Sequence, residues 1–435
     1  MAEPSFRELT TTFARIGILS FGGPAGQIAL MHRELVDDKG WIEEGAYLRA
    51  LNFCHLLPGP EAQQLATYIG WRLHGLKGGL TAGLLFVIPG AAIILGLSIL
   101  YGYAANLAWF DALFLGIKAA VLAIVVQALI RIGRRALNSP FKRILAFAAF
   151  LALFLFNLPF PLVVLGSGAI GMVVAAVRPD WLKLAPPKPV DAPPTPRRAI
   201  IGHTIRAIIA WGLIWAAPMA LVLLMLGQEH ILWKIGVFFS QLAVVTFGGA
   251  YAVLAYMAQE AVQSHHWLNA GEMADGLGLA ETTPGPLIMV TQFVGYLAAF
   301  RAPEPFSPLM AGILGAGLTT WVTFAPCFLW IFAFAPWIER LEHARKLQGG
   351  LAALTAAVVG VIANLTVWFA LHILFTRVAE AHAGPVRFYV PDGESFAWTT
   401  ALLAILAAIL LFALNRGVMV TLAICAAGGL LLGAL

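Results

Sequence analysis

Long apolar runs separated by short polar links dominate the chain. Continuous apolar stretches at about 79–103, 109–131, 142–157, 160–177, 204–226, 306–335, 347–375, 397–414 and 417–434 each predict a membrane-crossing helix. About 20 apolar residues at ~1.5 Å rise cover a hydrocarbon core of about 30 Å. Four further segments do not fit that length. Residues 5–36 are amphipathic and interrupted at Gly22-Gly23-Pro24. Each half, at about ten residues, reaches only about halfway across the core. A polar link (Asp37, Asp38, Lys39, Glu43, Glu44) follows, then short segments at 45–57 and 60–73 joined by Pro58-Gly59-Pro60. Similar broken pairs lie at about 233–262 and 271–300. All four read as helical hairpins that enter the membrane and return.

The breaks recur at a constant offset. Phe21-Gly22-Gly23 matches Phe247-Gly248-Gly249, Trp41 matches Trp267, and Pro58-Gly59-Pro60 matches Pro284-Gly285-Pro286, each 226 residues on. Residues 13–60 aligned without a gap on 239–286 share 14 identities in 48 positions, among them Phe13/Phe239, Glu34/Glu260, Gly45/Gly271 and Leu51/Leu277. This is an internal repeat, and it sets the architecture. Three segments follow: an N-terminal repeat (1–177), a Pro-rich semi-rigid linker (178–199), and a C-terminal repeat with an extra leading span (200–435).

Composition agrees. The chain has 435 residues, 60% hydrophobic and 11% charged, which excludes an ordinary soluble domain. The net charge of +5 is no nucleic-acid signal, because the basic residues sit in loops, where they report topology. Loop 131–143 carries Arg131, Arg134, Arg135, Lys142 and Arg143 without an acid, and the linker adds Arg178, Lys183, Lys188, Arg197 and Arg198. Both are expected in the cytoplasm. Counting spans from them puts the N-terminus inside, loop 376–396 outside and the C-terminus outside. The second copy then starts outside, and its positions 257–275 contain no Lys or Arg, whereas the matched 31–49 contain Arg33, Lys39 and Arg49. The expected fold is an all-α polytopic membrane protein with two inverted-topology repeats built on broken, re-entrant helical hairpins. That is the signature of a secondary transporter. If the broken segments span fully, the parity changes. The N-terminus lacks the basic-then-apolar design of a signal peptide and is expected to be retained. Cys54, Cys327 and Cys425 lie far apart in apolar segments, so no disulfide framework or metal site is indicated. No nucleotide or cofactor motif is present, so no cofactor is expected and ATP drive is disfavoured.

Helix breakers in lipid need partners for the backbone groups they release. A re-entrant hairpin brings the start of its second half-helix to the midplane, with unpaired N–H groups and the positive end of the dipole. Four such starts, near Ala25, Pro60, Ala250 and Pro286, would make an anion site. The candidate binding residues are Ser20, Gly22, Gly23, Pro24, Pro58, Gly59, Pro60, Thr246, Gly248, Gly249, Thr283, Pro284, Gly285 and Pro286. The bland alternative is that Gly and Pro merely kink packed helices. Ionisable residues in apolar sequence are the candidates for charge attraction or coupling. Lys118 lies mid-span, as an anion attractor or as half of a structural ion pair. Arg15 precedes the first break, as an attractor or a surface anchor. Glu61 is a proton carrier or a helix cap. His55 and Glu281 occupy matched positions and either titrate or pack. Asn52, Gln63, Gln64 and Gln292 are further hydrogen-bonding candidates.

The Phe21-Gly22-Gly23-Pro24 stretch, Trp41, Leu57-Pro58-Gly59-Pro60 and Tyr68-Ile69-Gly70 resemble the chromate transporter (CHR) family. The second copy, with Thr246-Phe247-Gly248-Gly249 and Thr283-Pro284-Gly285-Pro286, resembles its long-chain, two-domain form. One departure is Ala250, where the first copy has Pro24. The resemblance implies a bacterial inner-membrane exporter of chromate, or of sulfate as a related dianion, with importance at the Phe-Gly-Gly and Pro-Gly-Pro motifs. A dianion leaving a cell that is negative inside gains roughly twice 2.3 kcal/mol per 100 mV. Potential or proton exchange can therefore drive export. The expected partners are the oxyanion and the bilayer. A passive anion channel of the same architecture is the rival. An intramembrane enzyme would need an acid cluster that Asp37-Asp38 alone does not supply.

Overall fold

The computed structural model describes residues 4–105, 107–184, 197–245, 250–341 and 344–433. Each expected span forms a helix within a few residues of its expected ends. The first copy comprises α1 (Phe6–Leu19), α2 (Gly23–His32), α3 (Glu44–Cys54), α4 (Glu61–Ala104), α5 (Ala108–Ala136), α6 (Pro140–Phe154) and α7 (Phe160–Val177). After the linker come α8 (Arg197–Leu226), α9 (Ile231–Val245), α10 (Ala250–Gln259), α11 (Ala270–Thr282), α12 (Val290–Arg301) and α13 (Pro308–Phe334). The chain ends with α14 (Ile338–Leu341), α15 (Arg345–Leu374), α16 (Trp398–Ala408) and α17 (Val418–Gly433). Among the described residues, six helices are long and apolar enough to cross a membrane. The protein is an all-α polytopic membrane protein.

Local chemistry explains the helix starts. Ser5 and Glu8 form a reciprocal capping box at α1, and Asn269 and Glu272 form another at α11. Ser139-Pro140 and Ser307-Pro308 open α6 and α13, each serine accepting a backbone N–H and each proline taking the first helical position.

The repeat extends into backbone conformation. Residues Arg33–Asp38 and Glu260–Ser264 are both π-helical and extend α2 and α10. Gly40 and His266 follow with φ of 60° and 53°. Trp41 and Trp267 then each donate an amide, to Leu35 and Ala261 respectively, at 2.8 Å. A left-handed residue with a side chain costs about 1–2 kcal/mol. That His266 adopts it where the first copy has Gly40 indicates that the surrounding fold sets the turn.

The chain divides into two compact units. The first comprises Met1–Ile99, Pro186–Val253 and Thr283–Ala344. Within it α4 is not one straight rod. His74 and Gly75 leave helical conformation, and residues 76–104 fold back on 61–73. The faces are glycine-lined: a Cβ on Gly70 would stand 2.6 Å from the Ala82 Cβ. A Cβ on Gly79 would stand 2.9 Å from the Phe332 ring, so α13 packs closely too. Small residues allow this approach, since apolar lipid supplies little drive for helix association. Leu9, Phe13, Ile16, Phe53, Phe86 and Ile331 form the fully buried core. The additional helix α8 is tied to α13 by Thr204, which donates to the Ala333 carbonyl at 2.9 Å, and by Trp215, which donates to Val322 at 3.2 Å.

The second unit comprises Leu100–Ala185, Leu254–Thr282 and Arg345–Leu435. Its centre is α5 with α15. Helices α6 and α7 pack on α15, while α16 and α17 pack on α5. Helices α5 and α15 therefore each hold the last two spans of the other copy. Glycines permit both crossings: a Cβ on Gly116 would overlap the Cys425 carbonyl, and one on Gly360 would overlap the Ala146 carbonyl. Loop 376–396 contains a β-hairpin, β1 (Val378–Ala383) and β2 (Val386–Pro391), that the apolar pattern did not reveal. Buried Arg387 seats it, its backbone N–H donating to Leu155 at 2.6 Å and its guanidinium to Leu153 at 3.1 Å.

Candidate functional site

Three of the four breaks lie within the described residues. At the first, α1 stops at Ser20, Gly22 and Gly23 take φ of 84° and 69°, and Pro24 is the second residue of α2. At the second, α3 ends at Cys54, and Gly59, between Pro58 and Pro60, has φ 116°. At the fourth, α11 ends at Thr282, and Gly285, between Pro284 and Pro286, has φ 98°. Gly59 and Gly285 thus share the left-handed region at matched positions, where any other residue is strained. The third-break candidates Thr246, Gly248 and Gly249 lie outside the described residues.

The first unit joins the first and fourth breaks. The Gly285 N–H donates to the Ser20 carbonyl at 2.9 Å. The Gln27 amide donates to the Gly285 carbonyl at 2.5 Å and reaches the Ser20 carbonyl at 3.5 Å. Gly90 closes the knot from behind, since a Cβ there would stand 2.5 Å from the Pro284 carbonyl oxygen. Backbone groups freed by two helix interruptions therefore satisfy one another across 265 residues of chain, as a lipid setting demands. Two expected anion donors are already engaged: the Gly285 N–H as described, and the Ser20 hydroxyl, which donates to Ile16 at 2.6 Å. At the start of α2, Gly22 is exposed and Gly23 half-buried, and a helix offers no internal partner for its first N–H groups.

The second break is held by Gln64, whose amide donates to the Pro58 carbonyl at 2.6 Å. A Cβ on Gly59 would stand 3.0 Å from both the Cys327 sulfur and Gln64, so this turn also admits only glycine. Pro58, Gly59, Thr283, Pro284, Gly285 and Pro286 are buried, and Pro60 is half-buried. Gln63 and Gln292 donate to the Phe324 and Ala91 carbonyls, at 3.5 and 3.0 Å. Asn52 is exposed.

The charged candidates each stand beside an opposite charge or in the interior. Arg15 is 3.5 Å from buried Glu34, a residue at a repeat-matched position. His55 is 3.2 Å from Glu61 within its own turn. The offset that aligned His55 with Glu281 thus does not identify its partner. Glu281 is buried at the end of α11. In the second unit Lys118 is 3.3 Å from Asp275, which also accepts the Tyr101 hydroxyl at 2.7 Å. Asp275, Tyr101 and Gln27 were not singled out in the sequence. Asp275 carried a usable signal, an acid inside the short segment Gly271–Glu281; Gln27 was one polar residue on an amphipathic half-helix. No group of residues suited to hold a metal occurs among the described residues.

The profile of the chromate transporter family matches residues 7–172 and 233–431, one copy of the repeat in each stretch. The unmatched interval contains the linker and α8. The chain is 31% identical over 412 residues to the chromate transport protein of Pseudomonas aeruginosa, covering 92% of this chain and 89% of that protein. It is 29% identical over 363 residues to the chromate transport protein of Cupriavidus metallidurans, covering 83% and 82%. It is 29% identical over 371 residues to the probable chromate transport protein of Synechococcus elongatus, covering 83% and 84%. No solved structure matches. With both repeat copies matched and the break motifs in place, this multi-pass membrane protein belongs to the chromate transporter family.

Proposed function

We propose that the protein exports chromate, or a closely related oxyanion such as sulfate, from the cytoplasm by alternating access. Family membership supports a chromate transport role and points away from catalysis. The observation that carries the mechanism is the knot of Ser20, Gln27 and Gly285, in which two helix breaks lock together beside the α2 start. In this reading the Gly22-Gly23-Pro24 turn presents the first amides of α2 to the anion, and the Gly285 turn is its rigid support. Selectivity then comes from directed N–H donors, which favour a multi-oxygen anion over a spherical one. Lys118, Arg15, Glu61, His55 and Glu281 tune the field along the path.

The exchanged packing of α5 with α16–α17 and of α15 with α6–α7 supports a pseudo-symmetric pair of halves. We read these as inverted, with segments 1–177 and 200–435 as the two repeats and 178–199 as the cytoplasmic linker. The N-terminus then faces the cytoplasm and the C-terminus the opposite side. A dianion moving outward down the potential needs no ATP. Cells expressing the protein should accumulate less labelled chromate than cells with an empty vector. Equal or greater accumulation, with the protein present in the membrane, would contradict export.

A further inference from the structure

The Lys118–Asp275–Tyr101 cluster has a geometry that a structural ion pair does not need. Asp275 lies on α11, Lys118 eleven residues into α5, and Tyr101 near the end of α4, all in the second unit. Lys118 at 3.3 Å and the Tyr101 hydroxyl at 2.7 Å both address one carboxylate oxygen, Oδ2. The other, Oδ1, is buried and has no hydrogen-bond partner among the described residues. The Asp275 side chain is 3% exposed, against 26% for Lys118, so the cation has access to the surroundings and the carboxylate does not. An ionised carboxylate in apolar surroundings ordinarily fills its lone pairs with donors, and leaving one oxygen bare is costly. A proton on Oδ1 removes that cost while Oδ2 keeps both donors.

We propose that Asp275 is a proton-binding site of the transport cycle, taking a proton onto Oδ1 from water when the cycle opens the cluster and returning it each turnover, with Lys118 as its fixed counter-charge and Tyr101 as a positioning residue. Protonation changes the cluster from neutral to one positive charge. On α5, the other charged side chains are Asp111, two turns before Lys118, and Arg131, Arg134 and Arg135 near the opposite end. Glu272 lies one turn earlier on α11. Helix α17 has no charged side chain, and α15 carries only Arg345 and Lys346 at its start and His372 in its last turn. Helix α11 ends at Thr282, about two helical turns after Asp275, and the chain continues directly into the Thr283–Pro286 turn. Intramembrane carboxylates of this kind are proton-relay positions in transporters.

This inference rests on the transport reading, and one assay separates the two. The full-length protein is reconstituted in vesicles carrying an internal pH dye, with the potential clamped by potassium and valinomycin, and labelled chromate flux is read beside proton movement. Wild type should move protons only when chromate moves. Asp275→Asn should abolish chromate-linked proton movement and flatten the pH profile of any remaining flux. Tyr101→Phe removes a donor to the ionised form, so its flux midpoint should rise by about one pH unit, a tenfold change in proton affinity. A merely structural Tyr101 would lower protein yield and leave the midpoint in place, which would overturn the proposal even if Asp275→Asn did not insert. Wild-type chromate flux without proton movement would overturn this inference alone. A wild type that moves no chromate would overturn both.

Discussion

Gln27 and Gly285 show how a few polar atoms make a broken helix tolerable in a membrane. Each interruption releases backbone groups that lipid cannot satisfy. Here the Gly285 N–H takes the Ser20 carbonyl and the Gln27 side chain takes the Gly285 carbonyl. Replacing Gln27 with Leu keeps the size and removes the donor, leaving the buried Gly285 carbonyl short of a partner at about 1–3 kcal/mol. Gly285→Ala puts a side chain at φ 98° and within 3.1 Å of the Gly90 Cα. The left-handed strain alone costs about 1–2 kcal/mol. Each variant should reach the membrane at normal levels and lose about tenfold in chromate flux, the kinetic equivalent of about 1.4 kcal/mol. Wild-type flux from both would remove the knot from the mechanism. The glycines of the breaks were legible from sequence because φ above zero is nearly theirs alone. Gln27 was not, because nothing local distinguishes a glutamine that meets a carbonyl 258 positions away.

At the scale of the element, apolar run length decided most of the fold. The long spans and the short half-helices followed from hydropathy and rise per residue. The matched π-helical turns before Trp41 and Trp267 did not, because i to i+5 hydrogen bonding has no hydropathy signature. The hairpin of β1 and β2 was hidden for a related reason. Its strands lie outside the apolar runs and are fixed by Arg387, whose partners are carbonyls at the end of α6. The turn at His74-Gly75 was legible, since the interval between segment 60–73 and span 79–103 contains His74, Gly75, Lys77 and Gly78. The ion pair of Lys118 was legible as one of two readings, and the structure supplied its partner, Asp275, from a segment 157 residues away.

For the whole molecule, the repeat explains why α5 and α15 each hold the other copy's terminal spans. Inverted topology makes a direct demand on orientation. Reporter fusions at loop 131–143 and in linker 178–199 should read as cytoplasmic, whereas fusions in 376–396 and at the C-terminus should read as outside. A cytoplasmic C-terminus would leave the repeat intact and overturn its inversion. Saturable oxyanion export is read out by uptake of labelled chromate into everted vesicles containing the protein, at clamped potential. Uptake should saturate with chromate, be inhibited by sulfate, and fall about tenfold in Gly285→Ala. Uptake that rises linearly with chromate and ignores sulfate would mark a passive channel, and uptake no greater than in empty vesicles would contradict chromate as the substrate.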